Sequence, residues 1–221
     1  MEESAVDVRA KLHDISLPLG RDTLVWPGDP PIDVTPKLRI ANGDPANVSE
    51  LHLGTHSGTH VDPPVHFVEG AAAIDRLSLD RVIGPALVAD LRETNGPIGP
   101  VELEALGLDS DVTRLLLRTS NSSLWRSLPV EFPDTYACLS PEGAKWIVQN
   151  GIELVGIDFL SIEARGASGH PVHHILLENG VVIVEGLDLG DVEPGTYTLV
   201  CMPLKVVDGD GGPARAVLIE A

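Results

Sequence analysis

Residues 140–157 read SPEGAKWIVQNGIELVGI. Ser140 suits an N-cap, Pro141 the first helical position, and Asn150-Gly151 a stop, so Pro141–Gln149 is expected to be a helix. The run 152–157 is short, apolar and bounded by glycine, which reads as a strand. Arg114–Arg118, upstream, has the same character. The segment 112–157 therefore reads strand, loop, helix, strand.

Outward from that unit, strands are expected at 32–40, 48–53, 86–91, 181–184, 196–202 and 214–219. Shorter helices are expected at 101–106 and 173–178, the second closed by Asn179-Gly180. Trp26-Pro27-Gly28-Asp29-Pro30-Pro31 is neither helix nor central strand, because proline removes donors and fixes φ. The 221 residues include 22 glycines and 18 prolines, which excludes a long coiled coil and favours many short elements. Aromatics are only 4%, so Val, Leu, Ile and Ala must fill the core. No repeat or low-complexity linker divides the chain. Residues 1–221 are expected to form one compact, strand-rich α/β domain with few helices.

The net charge of −18 argues against nucleic acid or an anionic membrane as partner, since both require clustered Lys and Arg. No apolar run approaches the roughly 18 residues of a membrane span. The stretch MEESAVDVRAKLHD is acidic and mixed, with no secretory signal visible. Cys138 and Cys201 have neither metal nor redox spacing and read as buried apolar filler in a reducing, cytoplasmic setting.

Of the eight histidines, four fall within 51–67 and three within 170–174. The first group reads His56-Ser57-Gly58-Thr59-His60-Val61-Asp62-Pro63-Pro64-Val65-His66. One helical turn, or a loop at Gly58, points His56 and His60 at one ion. Pro63 drives Asp62 toward extended backbone, so His60 and Asp62 share a face. Two imidazoles and a carboxylate suit Zn, Mn or Fe and leave open positions for water, the catalytic pattern. His52, in alternating Glu50-Leu51-His52-Leu53, reads as an ordinary strand residue. Glu185 closes the β-branched run 181–184, where a carboxylate is costly unless paired or metal-bound, or unless the strand surfaces at Gly186. His173 lies across a turn from Glu185, within reach of it. His170 is a weaker candidate, and His174 is expected to point elsewhere.

The string His56 to His66 resembles the HxGTHxDxPxH signature of the cyclase family of metal-dependent hydrolases, which includes bacterial kynurenine formamidase (arylformamidase) and isatin hydrolase. The resemblance extends through Trp26-Pro27-Gly28-Asp29, Gly43-Asp44-Pro45-Ala46-Asn47-Val48-Ser49, Gly156-Ile157-Asp158, Glu185-Gly186-Leu187, Pro203-Leu204-Lys205 and 213–218. It implies a barrel-like mixed sheet and a homodimer or higher homo-oligomer. It implies one or two divalent ions, Zn2+ or Mn2+, on His56, His60 and Asp62, with His173 and Glu185 at a second position. It implies His66 as the catalytic histidine and Trp26 beside the substrate. One segment departs from the formamidase pattern: 159–164, Phe-Leu-Ser-Ile-Glu-Ala, stands where formamidases usually carry a Pro-Ser-x-Asp-Pro stretch. It is nearer to the broader cyclase-like hydrolases.

The expected activity is hydrolysis of an amide-type C–N acyl bond of a small molecule, by metal-activated water with a histidine acid/base. Lactam opening as in isatin hydrolase, polyketide-type cyclisation and a non-catalytic metal-binding scaffold are the alternatives. A serine hydrolase lacks its G-x-S-x-G elbow here, and the zincin, P-loop and Rossmann patterns are absent. Asp208-Gly209-Asp210-Gly211-Gly212 fails EF-hand spacing and reads as a hairpin turn.

Overall fold

The computed structural model describes residues 10–94, 96–127 and 131–220. Most of the acidic N-terminal stretch lies outside them. Among the described residues the chain begins with strands β1 (Leu12–Asp14), β2 (Asp33–Leu38), β3 (Val48–His52) and β4 (His60–Asp62). Helix α1 (Leu79–Val82), strand β5 (Ile83–Asp90), helix α2 (Pro100–Glu104) and strand β6 (Arg114–Arg118) follow. Then come α3 (Pro141–Gln149), β7 (Leu154–Ile157), α4 (Pro171–Glu178), β8 (Val182–Glu185), β9 (Gly195–Pro203) and β10 (Gly212–Ile219).

Strands β5, β6, β7 and β8 run parallel in that order. β4 pairs antiparallel with β8, β10 with β4, and β9 with both β10 and β5. Seven strands thus close a mixed barrel, which removes the exposed sheet edges that promote aggregation. β1 extends the β10 edge beyond β4, and β2 with β3 forms a separate two-stranded ribbon.

Strict alternation explains the apolar runs. Leu116, Val184, Val61 and Leu199 fill the barrel interior. Leu115, Leu117, Val155 and Ile183 point outward, into a layer with Leu103 of α2, Ile147 of α3 and Leu176 of α4. β6, β7 and β8 are buried throughout, as parallel strands covered on both faces must be. A fully buried Leu or Val contributes roughly 1.5–3 kcal/mol, so these two layers supply most of the stabilisation.

The helix at Pro141–Gln149 begins as expected: the Ser140 hydroxyl accepts the Gly143 N–H at 3.0 Å. The helix expected at 173–178 starts two residues earlier, with Pro171 in its first turn. The strand expected at 32–40 stops at Leu38, because Ile40–Asn42 forms a 3-10 turn closed by Gly43 in the left-handed region. Residues 208–211 fall in the connection joining β9 to β10, and Gly212 opens β10. Cys138 and Cys201 are buried free thiols. Burial pushes Cys138 up to about 11, with Glu163 adding to it, and Cys201 up to about 12. Among the described residues, no helix is long and apolar enough to cross a membrane.

Candidate metal centre

Val61 of β4 faces the barrel interior, so its neighbours His60 and Asp62 face outward. On β8, Val184 faces inward and Glu185 outward, opposite His60 in register. Glu185 is 3% exposed, so its strand does not end in water. His60 Nε2 lies 3.4 Å from Glu185 Oε2 and 3.5 Å from Asp62 Oδ1.

Three further imidazoles converge there. His56 comes from the loop between β3 and β4, and its Nδ1 lies 2.9 Å from Asp62 Oδ1. His66, at the end of the 3-10 turn Pro64–His66, stacks on His56 with centroids 3.9 Å apart. His173 sits on the buried face of α4, its Nε2 3.4 Å from Glu185 Oε1. Two glycines make this approach possible. A Cβ at Gly186 would stand 2.2 Å from the Gly58 carbonyl oxygen, so only glycine lets β8 close against the His56–His60 loop. A Cβ at Gly211 would stand 2.6 Å from the His56 ring.

These residues fit a divalent cation. Donor atoms of His60, Asp62 and Glu185 lie within 4.8 Å of one another, as do those of His56, Asp62 and His66. Asp62 Oδ2 and His56 Nε2 are buried without a hydrogen-bond partner. Orphaned polar atoms of this kind are costly, and a cation placed among them removes the cost. Nitrogen and oxygen donors suit Zn2+ and Mn2+ alike.

The electrostatics are those of mutually dependent acids and bases. Burial pushes the His60 pKa down, but its bond to Glu185 and the Asp62 charge outweigh this and raise it to about 9. Burial likewise opposes charging of His173, and Glu163 with Glu185 raise it to about 10. Asp62 stays below the usual carboxylate range although burial opposes it, because His56 bonds to it and His60 and His66 lie close. Glu185 is also held low against burial and Asp62, by His173 and His60. His66 is pushed down, chiefly by burial, with Asp62 offsetting part of the shift.

Over the cluster lies a pocket of about 210 Å³. Trp26, Phe67, Leu160 and His170 form its walls, and His56, His60, His66, His173 and Glu185 also face it. Trp26 is held edge-on against Phe132, centroids 5.0 Å apart. The structure thus brings together His56, His60, Asp62, His66, His173, Glu185 and Trp26. His170 lies at the rim, with 53% of its side chain exposed. His174 turns away to Glu178, and His52 lies on the exposed ribbon.

Sequence reading passed over Glu163. This carboxylate is 2% exposed and lies 2.8 Å from His173 Nδ1. Its signal was present: like Glu185, it ends an apolar run, Phe159-Leu160-Ser161-Ile162. Asp158 was also passed over as a structural element. It accepts the N–H and hydroxyl of both Thr119 and Ser122, at 2.6–3.1 Å, and so ties β7 to the segment after β6.

The Cyclase family model matches residues 13–164. A kynurenine formamidase of Salinibacter ruber is 37% identical over 211 residues, 95% of this chain and 98% of that protein. A solved structure described as a potential metal-dependent hydrolase with cyclase activity is 32% identical, with a TM-score of 0.83 over 96% of this chain and 98% of that one. An isatin hydrolase bound to the product analogue thioisatinate shares the fold: 21% identity and a TM-score of 0.83, over 96% of this chain and 92% of that one. With a signature that the fold gathers around one buried carboxylate, and relatives matching it nearly end to end, this chain belongs to the cyclase family.

Proposed function

We propose that this chain, as a single domain over residues 1–221, hydrolyses the amide-type C–N acyl bond of a small arylformamide. It is a metal-dependent hydrolase acting on C–N bonds other than peptide bonds. The observation that carries the reading is the outward cluster of His60, Asp62 and Glu185, flanked by His56 and His173, beneath a small pocket with His66 at its side. The Salinibacter ruber relative, named a kynurenine formamidase, supports the arylformamide.

His56, His60 and Asp62 would hold a first divalent ion, Zn2+ or Mn2+, and His173 and Glu185 would complete a place for a second. A bound divalent ion supplies Lewis acidity toward the acyl oxygen and lowers the pKa of water from ~15.7 toward ~7. His66, with its pKa pushed down by burial, is neutral at pH 7 and ready to accept a proton. It then delivers that proton to the departing nitrogen, help worth ~10²–10⁴-fold. Trp26 and Phe67 clasp the aromatic part of the substrate and exclude water. A pocket of about 210 Å³ takes a single aromatic ring with its acyl substituent.

The reading extends to a cytoplasmic location and to a homodimer, the second supported by exposed Val34, Leu38, Val48 and Leu51 on the β2–β3 ribbon. Light scattering on the eluted protein gives the subunit number directly. The deciding experiment for activity is metal analysis followed by a panel of N-formylkynurenine, isatin, cyclic imides and lactones. Turnover of formamides that stops on chelation and returns with Zn2+ or Mn2+ supports the proposal. A fully metal-loaded protein inert toward every acyl substrate replaces it with the scaffold reading.

A further inference from the structure

We propose that Glu163 is the positioning residue of His173: it accepts a hydrogen bond from the Nδ1–H of that ring and so leaves Nε2, the nitrogen beside Glu185, as the one that meets a metal ion. The inference rests on the metal-dependent reading of the site and adds a residue to it.

The geometry is specific. Glu163 Oε2 lies 2.8 Å from His173 Nδ1, and Glu163 Oε1 accepts the Val172 N–H at 2.7 Å. One carboxylate therefore caps the first turn of α4 and holds the ring that this turn carries. Its own backbone is fixed on both sides. The Glu163 N–H bonds the Ser161 hydroxyl at 3.2 Å, and the Tyr136 hydroxyl donates to the Glu163 carbonyl at 2.7 Å. Phe67 stacks on the His173 ring with centroids 4.4 Å apart and sets its plane. Packing alone leaves open which nitrogen carries the proton. The carboxylate decides it, because an ionised carboxylate only accepts. With the Nδ1 proton held by Glu163, the opposite nitrogen, 3.4 Å from Glu185 Oε1, is the one that gives up its proton when an ion binds. Carboxylate–histidine pairs of this kind govern metal affinity by orienting the ligand and raising its basicity. A buried carboxylate also needs such a use, since burial without partners is expensive.

Glutamine makes the idea sharp. In Glu163→Gln the amide oxygen is drawn to the Val172 N–H, which turns the amide NH2 toward Nδ1. That donor selects the opposite tautomer, with the proton on Nε2, and removes the lone pair. A role confined to capping α4 would be preserved by glutamine. A role in positioning His173 would not.

The test is titration of the metal-free protein with Co2+, following both calorimetric stoichiometry and the visible absorption of each bound ion. Wild type is expected to bind two ions, and His173→Ala to lose the weaker. Glu163→Gln and Glu163→Ala should weaken that same ion about 10–100-fold, leaving the tighter ion unchanged. Thermal melts identify any variant that fails to fold, and the glutamine variant, which keeps the cap, then decides. His170 Nδ1 lies 3.3 Å from Glu163 Oε2, so His170→Ala is included. It should bind both ions normally. Loss of an ion in His170→Ala would make Glu163 a ligand and overturn the positioning role. So would unchanged binding in both Glu163 variants, or a wild type whose metal binding is indifferent to His173→Ala. Failure of the activity reading looks different: both ions bind as expected while no acyl substrate turns over.

Discussion

His60 and Glu185 are register partners across the β4–β8 pair, and their Nε2 and Oε2 atoms lie 3.4 Å apart on the outer face of the barrel. Backbone hydrogen bonding, not side-chain flexibility, sets that separation. His60→Ala and Asp62→Ala are therefore expected to lose bound metal and activity together while the barrel persists. Elemental analysis with far-UV circular dichroism checks this. Full metal content in both variants would remove the assignment.

His66 stacks on His56, and its ring nitrogen lies with donor atoms of His56 and Asp62, while His60, Asp62 and Glu185 form a donor group without it. His66→Ala should retain its metal and lose about 10²–10⁴-fold in kcat, with a smaller change in KM. Wild-type turnover by a metal-loaded variant would end its catalytic role.

Gly186 has φ +68°, and its ideal Cβ would lie 2.2 Å from the Gly58 carbonyl oxygen. Gly186→Ala combines left-handed strain with a backbone collision and should cost roughly 2–4 kcal/mol. It should also pull the His56–His60 loop from β8. Urea unfolding gives the first effect and metal affinity the second. A variant equal to wild type in both would contradict the close approach.

Burial raises the thiols of Cys138 to about 11 and Cys201 to about 12, against an ordinary 9. At alkaline pH the unfolded chain therefore ionises its thiols before the folded chain does. The stability they contribute is fully present below pH 9 and falls as pH rises through 11 and 12, by up to about 1.4 kcal/mol per pH unit for each thiol. Cys201→Ala should flatten that slope, as measured by unfolding at a series of pH values. A thiol reagent at pH 8 should label neither cysteine until the protein is denatured.

Sequence made the local elements legible where one rule dominates. Ser140-Pro141 begins a helix and Asn150-Gly151 ends it, because capping depends on adjacent residues alone. His56, His60 and Asp62 were legible for a similar reason: their spacing is itself the signal. Barrel closure was legible only through the family resemblance, since the β5–β9 pairing joins residues more than a hundred positions apart and leaves no local trace. β4 is three residues long, too short for alternation to declare a strand, although Pro63 foretold its extended backbone. Glu163 escaped because its meaning lies in His173, ten residues away on another element.

On β4, one valine facing the barrel interior separates two residues facing the site. Insertion or deletion of a single residue there would exchange the two faces of the strand beyond it, sending an ionisable group into hydrocarbon and an alkyl group to the chemistry. Strand length at this point is thus fixed as tightly as the identities of His60 and Asp62. Descendants of this sequence can vary the oil-filled side at constant volume and alter only how long the protein survives. The pocket walls above the opposite side can be rebuilt for another substrate without redrawing the frame, provided His60 and Asp62 stay and no residue is gained or lost between the two.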